Sequence, residues 1–164
     1  MADTYKTFDA LKRVEKRRSF RIRTRRGTAT AIIAPHGGGI EAGTSEIADR
    51  IAGDDFSFYA FEGRKGSANR KLHITSTHFD EPVCCELLAH SASVVCIHGE
   101  GSLQKMVFLG GSDIQAGHNI RRALEAAGFV VRTHRNRLLQ GTDAHSTHRD
   151  QSVHSIVITH SSAS

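Results

Sequence analysis

Cysteine and tryptophan are the residues whose scarcity is most informative in this 164-residue sequence. The three cysteines are Cys84, Cys85 and Cys96; their number is odd, and their spacing is not that of a zinc ribbon. Because adjacent cysteines rarely bridge each other, we expect reduced and mostly buried thiols rather than a disulfide framework. Tryptophan is absent, which removes an aromatic platform that proteins binding single-stranded nucleic acid commonly use.

Long apolar runs are also missing, so no segment is expected to cross a bilayer. The first residues, MADTYK, do not contain the apolar core and small-residue cleavage site of a secretory signal. We therefore expect synthesis in the cytoplasm without a signal peptide. Action outside the cell would require lysis.

The overall composition is that of a globular protein, with 38% hydrophobic and 24% charged residues, which is too mixed for disorder. A chain of this length can bury a core of its own. We find no internal repeat and no linker, and we expect a single domain over residues 1–164. Residues 1–18 are interpreted as a polar lead-in to that domain.

Positive charge is concentrated near the N-terminus, although the net charge of the chain is only +5. Residues 12–26 contain nine Lys or Arg and one Glu, which gives +8 there and −3 in the remainder. Within this segment Arg21, Arg23 and Arg25 alternate with apolar or neutral residues, as in a half-exposed strand. Such a surface would attract a polyanion, either nucleic acid or an acidic polymer, but a merely solvated face has the same composition.

Strand-like and helix-like patterns alternate along most of the chain. This alternation, with short connections, predicts a three-layer α/β domain with a mixed, mostly parallel sheet. The predicted strands are residues 20–25, 28–34, 56–61, 72–76, 93–97, 106–109, 129–131 and 156–158, and the predicted helices are residues 44–53, 81–89 and 114–127.

Two histidines, His36 and His98, each follow an apolar strand, where sites form in open α/β sheets. Three glycines after His36 allow a sharp turn that could bring Glu41 back beside its ring. Two histidines and a glutamate would leave a fourth zinc position open, as in hydrolytic sites. Taken alone, a histidine at a strand end is more often a hydrogen-bonded structural residue, and glycine triplets are common in ordinary turns.

Several segments resemble the phage-derived poly-γ-glutamate hydrolases, a family with a metallocarboxypeptidase-like fold. The most specific segment is residues 33–46, IAPHGGGIEAGTSE; residues 72–82, LHITSTHFDEP, residues 107–111, VFLGG, and residues 126–129, AAGF, also match. The resemblance covers about residues 21–143. It implies a catalytic zinc held by His36, Glu41 and His98, and hydrolysis of a γ-glutamyl amide bond in an anionic polymer such as poly-γ-glutamate. Phage or prophage origin, with release by phage lysis, is implied by the same resemblance.

The C-terminal residues 144–164 are expected to be atypical of this family. Members typically end in a strand that carries a catalytic glutamate, whereas here Asp150 is the last carboxylate side chain. We expect weak turnover, or else a general base supplied by His160 or Glu100. Arg149 or the arginine strand would supply the cation that receives the substrate carboxylate or the oxyanion. A frame change in the gene would explain such an ending.

A second polar cluster, His73, His78, Asp80 and Glu81, could support the metal indirectly. For Asp80 we favour the role of helix N-cap, and the histidines are left open. The rival to a hydrolase is a non-catalytic phage protein that binds nucleic acid through the arginine strand. The nucleic-acid-binding alternative is retained because no general base is obvious in the sequence.

Overall fold

The computed structural model describes residues 3–100 and 106–133 and the strand at 152–159, with side chains described for residues 3–99 and 106–133. The strands are β1 Phe20–Arg25, β2 Thr30–Gly38, β3 Ser57–Gly63, β4 Ser93–Glu100, β5 Val107–Gly111, β6 Val131–Thr133 and β7 Ser152–Thr159. The helices are α1 Phe8–Val14, α2 Thr44–Ala52, α3 Pro82–Ala89 and α4 Ile114–Ala126.

The seven strands of the described residues form one sheet, in the order β1-β3-β2-β4-β7-β5-β6. Strand β2 pairs in parallel with both β3 and β4, β4 pairs in parallel with β7, and β5 with β6. The pairs β1–β3 and β5–β7 are antiparallel. The predicted mixed, mostly parallel sheet is therefore confirmed, including a strand around residues 156–158.

Neighbouring residues on the central strands enter two separate hydrophobic clusters, one on each side of the sheet. On one side Ile33 packs with residues of α1 and α3, including Leu11. On the other side Ile32 packs with residues of α2 such as Ala48, and parts of α4 lie against the same cluster. Because helices cover both faces of the sheet, the central strand is a continuous apolar run. The helices on each face and the sheet between them form the three predicted layers.

Two predictions about local structure were wrong. The polar lead-in contains α1, which begins at the Thr7 cap and buries Phe8 and Leu11 among charged neighbours. The predicted strand at 72–76 is instead a short irregular stretch between two 3-10 turns, Asn69–Leu72 and Ser76–His78. Its backbone groups bond to side chains elsewhere in the fold rather than to a neighbouring strand.

Asp80 is not the cap of α3, which is a further correction. Because Pro82 occupies the first turn, Glu81 is the N-cap residue, and its carboxylate accepts hydrogen bonds from the Cys84 amide and the Tyr59 hydroxyl, both at 2.9 Å. Asp80 instead accepts a hydrogen bond from the Phe8 amide and so ties α1 to this part of the fold.

Residues 20–25 form the predicted strand, but its arginine face is partly buried and most of its charge is paired. Arg23 forms ion pairs with Asp49 of α2 and Glu62 of β3, and Arg25 pairs with the same Asp49. Both guanidinium groups also lie over the Phe58 ring, at 5.1 and 5.2 Å from its centroid. Only part of the predicted basic surface is therefore available to an anion.

The three cysteines are free, with Cys84 and Cys96 buried and Cys85 exposed. Among the residues that the structure describes, no helix has the length and apolar character needed to span a bilayer.

Candidate metal centre

Three potential metal ligands converge at the carboxyl edge of the central strands. His36 lies near the end of β2, His98 near the end of its parallel neighbour β4, and Glu41 in the turn that leads to α2. Each residue offers one ligand atom, and the three atoms lie within 4.8 Å of one another. The structure thus brings together the residues that the sequence singled out.

A bulge in β2 aims His36 toward this edge. Ala34 pairs with Ala60, but the next paired residue, Gly37, lies opposite Glu62, so β2 carries one extra residue. The chain then turns through Gly38, whose φ of +60° favours glycine. The Glu41 amide donates to the His36 carbonyl at 2.8 Å, which closes the turn and returns the Glu41 side chain to the ring.

His36 presents an unpaired nitrogen to the centre. The side chain is 2% exposed, and its Nε2–H donates to the Ile74 carbonyl at 2.8 Å. This bond leaves the lone pair of the neutral ring on Nδ1, which lies 3.4 Å from Glu41 Oε1 and has no hydrogen-bond partner among the described residues. A buried ring nitrogen with no partner is costly unless a ligand satisfies it.

His98 faces the other oxygen of the same carboxylate. Its Nδ1 is 3.8 Å from Glu41 Oε2, and its Nε2 is 3.0 Å from the Cys96 sulfur. Burial raises the pKa of the Cys96 thiol, and the negative charge of Glu41 raises it further, so the thiol stays protonated. A His98 ring that donates its Nε2–H to the sulfur keeps its lone pair on Nδ1, toward the centre.

Glu41 supplies the negative charge of the group. Burial alone would raise its pKa, but His36 and His98, which favour the ionised carboxylate when their rings are protonated, and the Gly99 amide hold the pKa well below the usual range. The Gly99 amide donates to Glu41 Oε2 at 2.8 Å. One carboxylate oxygen and two imidazole nitrogens that face one another fit a divalent cation, and they are the donor types that zinc binds.

His73, which the sequence left open, lies beside the centre. Its ring stacks on His36 with centroids 4.2 Å apart, and its Nε2 is 4.0 Å from Glu41 Oε1. Its Nδ1 is hydrogen bonded to the Asp3 carboxylate at 2.8 Å. Burial and the neighbouring His36 lower the pKa of His73 against the opposing effect of Asp3.

Two partners of these histidines were not predicted from the sequence. Cys96 had been interpreted as core, although the two-residue period of β4 places it on the same face as His98 and could have revealed the contact. Asp3 reaches His73 across 70 residues of sequence, and no local pattern indicates that contact.

Arg149, His160 and the side chain of Glu100 lie outside the described residues, and their proposed roles stay predictions. Strand β7 ends at Thr159, which pairs with Glu100, two residues beyond His98 in the neighbouring strand. The carboxyl end of β7 therefore lies at the same edge of the sheet as the three candidate ligands.

The fold and the site together define an α/β protein with a His-Glu-His group that could hold a metal ion at the carboxyl edge of its sheet. A model of the family described as poly-γ-glutamate hydrolase matches residues 5–159. The chain belongs to this family, which confirms the resemblance seen in the sequence. The matched range includes most of the C-terminal segment that was expected to be atypical.

Two relatives come from Bacillus subtilis strain 168. The UPF0714 protein YndL is 38% identical over 128 residues, which is 77% of this chain and 50% of YndL. The SPbeta prophage-derived UPF0714 protein YoqZ is 42% identical over 129 residues, 78% of this chain and 47% of YoqZ. The chain thus spans about half the length of these curated relatives.

Two solved structures have the same fold. YndL in an apo form described as zinc-free matches with a TM-score of 0.84 and 29% identity, covering 96% of this chain and 80% of the other. A bacteriophage poly-γ-glutamate hydrolase matches with a TM-score of 0.83 and 27% identity, covering 96% and 79%.

Proposed function

We propose that this protein is a zinc-dependent hydrolase that cleaves γ-glutamyl amide bonds in poly-γ-glutamate or a similar anionic polymer. The observation that carries the proposal is the buried Nδ1 of His36, which has no partner among the described residues and faces an ionised Glu41 at 3.4 Å. Family membership and the phage hydrolase of the same fold support the substrate class.

The protein's own residues prepare the site in defined ways. Ile74 and Cys96 contact the outer nitrogens of His36 and His98, so that the inner nitrogens of both rings face Glu41. The Gly99 amide orients the carboxylate that balances the metal charge. Zinc bound by such a set supplies Lewis acidity, which polarises an amide carbonyl and activates water.

His160 is proposed as the general base and Arg149 as the cation that receives the substrate carboxylate or the oxyanion. His160→Ala and Arg149→Ala should lower turnover while the zinc content stays the same. Loss of a general base commonly costs roughly 10²–10⁴ in rate. Unchanged turnover in His160→Ala would remove His160 from this role and leave Glu100 as the candidate.

The nucleic-acid alternative is not favoured. Arg23 and Arg25, two of the three arginines on which it depends, are already paired with Asp49. A polymeric carboxylate substrate needs only a moderate positive field to approach the site, and the exposed Arg21 and its basic neighbours can supply it. Action outside the host cell, after phage lysis, belongs to the same proposal.

The test compares poly-γ-glutamate with α-linked polyglutamate, which has the same charge but a different amide linkage. The zinc-loaded protein should shorten the γ-linked polymer, and chelation should abolish this activity until zinc is returned. Glu41→Gln should be inactive, whereas Glu125→Gln, which changes an exposed glutamate on α4, should behave as the unaltered protein. Equal cleavage with and without metal would contradict the proposal.

A further inference from the structure

The peptide group between Ile74 and Thr75 links the metal centre to the N-terminal segment. Its carbonyl oxygen accepts the His36 Nε2–H at 2.8 Å, while its N–H donates to Asp3 Oδ2 at 2.6 Å. The other Asp3 oxygen accepts a hydrogen bond from His73 Nδ1 at 2.8 Å. Asp3 and His36 therefore bind opposite ends of one peptide group.

This peptide group has no regular secondary structure to hold it. It lies between the turns Asn69–Leu72 and Ser76–His78, in a stretch that forms no strand. The Ile74 side chain is fully buried and anchors the position of the residue, but a buried side chain does not fix the rotation of the adjoining peptide plane. The Asp3 contact supplies that restraint.

Asp3 is suited to this role because it carries a charge. Burial would raise its pKa, but the bonds from Thr75 and His73 outweigh burial and lower the pKa, so the carboxylate is ionised. Charged acceptors form stronger hydrogen bonds than neutral ones, and bonds in a chain polarise one another. A carboxylate on the N–H end makes the Ile74 carbonyl a better acceptor for His36.

We infer that Asp3 is a positioning residue for the metal centre: it fixes the Ile74–Thr75 peptide so that His36 keeps its proton on Nε2 and directs Nδ1 at the metal. This inference rests on the proposed function for the identity of the metal. The effect on the His36 tautomer is independent of zinc.

The first measurement is the tautomer of His36 in the metal-free protein, from the ring ¹⁵N shifts at a pH where the ring is neutral. The unaltered protein should show the Nε2–H form. Asp3→Ala should show a mixture of tautomers, and Asp3→Asn, which keeps the size but removes the charge, should fall between them. Asp9→Asn is the matched control, because Asp9 is an exposed aspartate of α1 whose partner is Arg13.

The second measurement is the zinc dissociation constant by competition with a chelator, alongside the thermal midpoint of each metal-free variant. Removing an outer partner of a ligand commonly weakens metal binding 10–100-fold, and we expect roughly tenfold for Asp3→Ala. If Asp3→Ala folds poorly, Asp3→Asn provides the same test in a folded protein.

An unchanged His36 tautomer and unchanged zinc affinity in both Asp3 variants would overturn the inference, as would an equal loss in Asp9→Asn. Failure of the unaltered protein to bind zinc would overturn the proposed function instead. The tautomer measurement would still decide whether Asp3 controls His36.

Discussion

Replacing Gly99 by alanine tests whether the close packing around Glu41 sets metal affinity. Gly99 lies in β4 next to His98, and its amide donates to the Glu41 carboxylate. An added Cβ would lie 3.1 Å from Glu41 Cβ and 3.5 Å from Thr44 Cγ2. The first distance is too short for ordinary van der Waals contact, so Glu41 must move by a few tenths of an ångström.

The expected magnitude follows from that overlap. Overpacking of a buried site by one methyl group costs about 1–3 kcal/mol in folding free energy. The displaced carboxylate should also bind zinc roughly tenfold less tightly. This figure is the lower end of the loss in metal affinity that follows when a partner of a metal ligand is disturbed. Both effects have one cause and should appear together.

Gly117→Ala provides the matched control. Gly117 lies within α4, where an added Cβ meets nothing within 4 Å. Alanine there should raise the free energy of unfolding by about 0.5–1 kcal/mol through helix propensity and leave zinc affinity unchanged. Chemical denaturation and chelator competition measure both quantities. Normal zinc affinity in Gly99→Ala would show that the packing around Glu41 does not set metal affinity.

Three further predictions concern other parts of the fold. Glu15 accepts hydrogen bonds from Lys65, which lower the pKa of Glu15 despite burial. Glu15→Gln should therefore lower the free energy of unfolding by about 1–2 kcal/mol at pH 7. Denaturation midpoints should show this difference vanishing as pH falls through the lowered pKa. Arg23→Gln should cost about 0.5–1 kcal/mol by breaking the pair with Asp49, with little change in DNA retention; a strong loss of DNA binding would support the alternative function. A chimera whose residues after Asp143 come from a relative with the catalytic glutamate should hydrolyse poly-γ-glutamate faster, and equal rates would show that the native tail is sufficient.

The sheet was predictable because its central strands are apolar runs buried on both faces, and such runs are recognisable locally. The helix α1 was not, because its buried face consists of Phe8 and Leu11 alone, within a short and highly charged segment. The 72–76 stretch has strand-like composition, but Asp3 and His36 bind its peptide groups, and neither contact is visible within a short window.

The three candidate ligands could be placed together because each lies near the end of a central strand or in a glycine turn, and parallel strands end at the same edge of the sheet. Their protonation pattern could not be predicted. It depends on Ile74 and Cys96, whose contacts with His36 and His98 come from backbone geometry and from strand register. Likewise, the pairing of Arg23 with Asp49 required the position of α2 over the sheet.

Zinc content per chain, measured by elemental analysis of the purified protein and of folded His36→Ala and His98→Ala variants, tests whether the two histidines hold the metal. A Cys85→Ser variant, which alters an exposed thiol, is the control. We expect about one zinc per chain in the unaltered protein and in the control, and little in either histidine variant. Full zinc content in both folded histidine variants would show that His36 and His98 do not bind the metal.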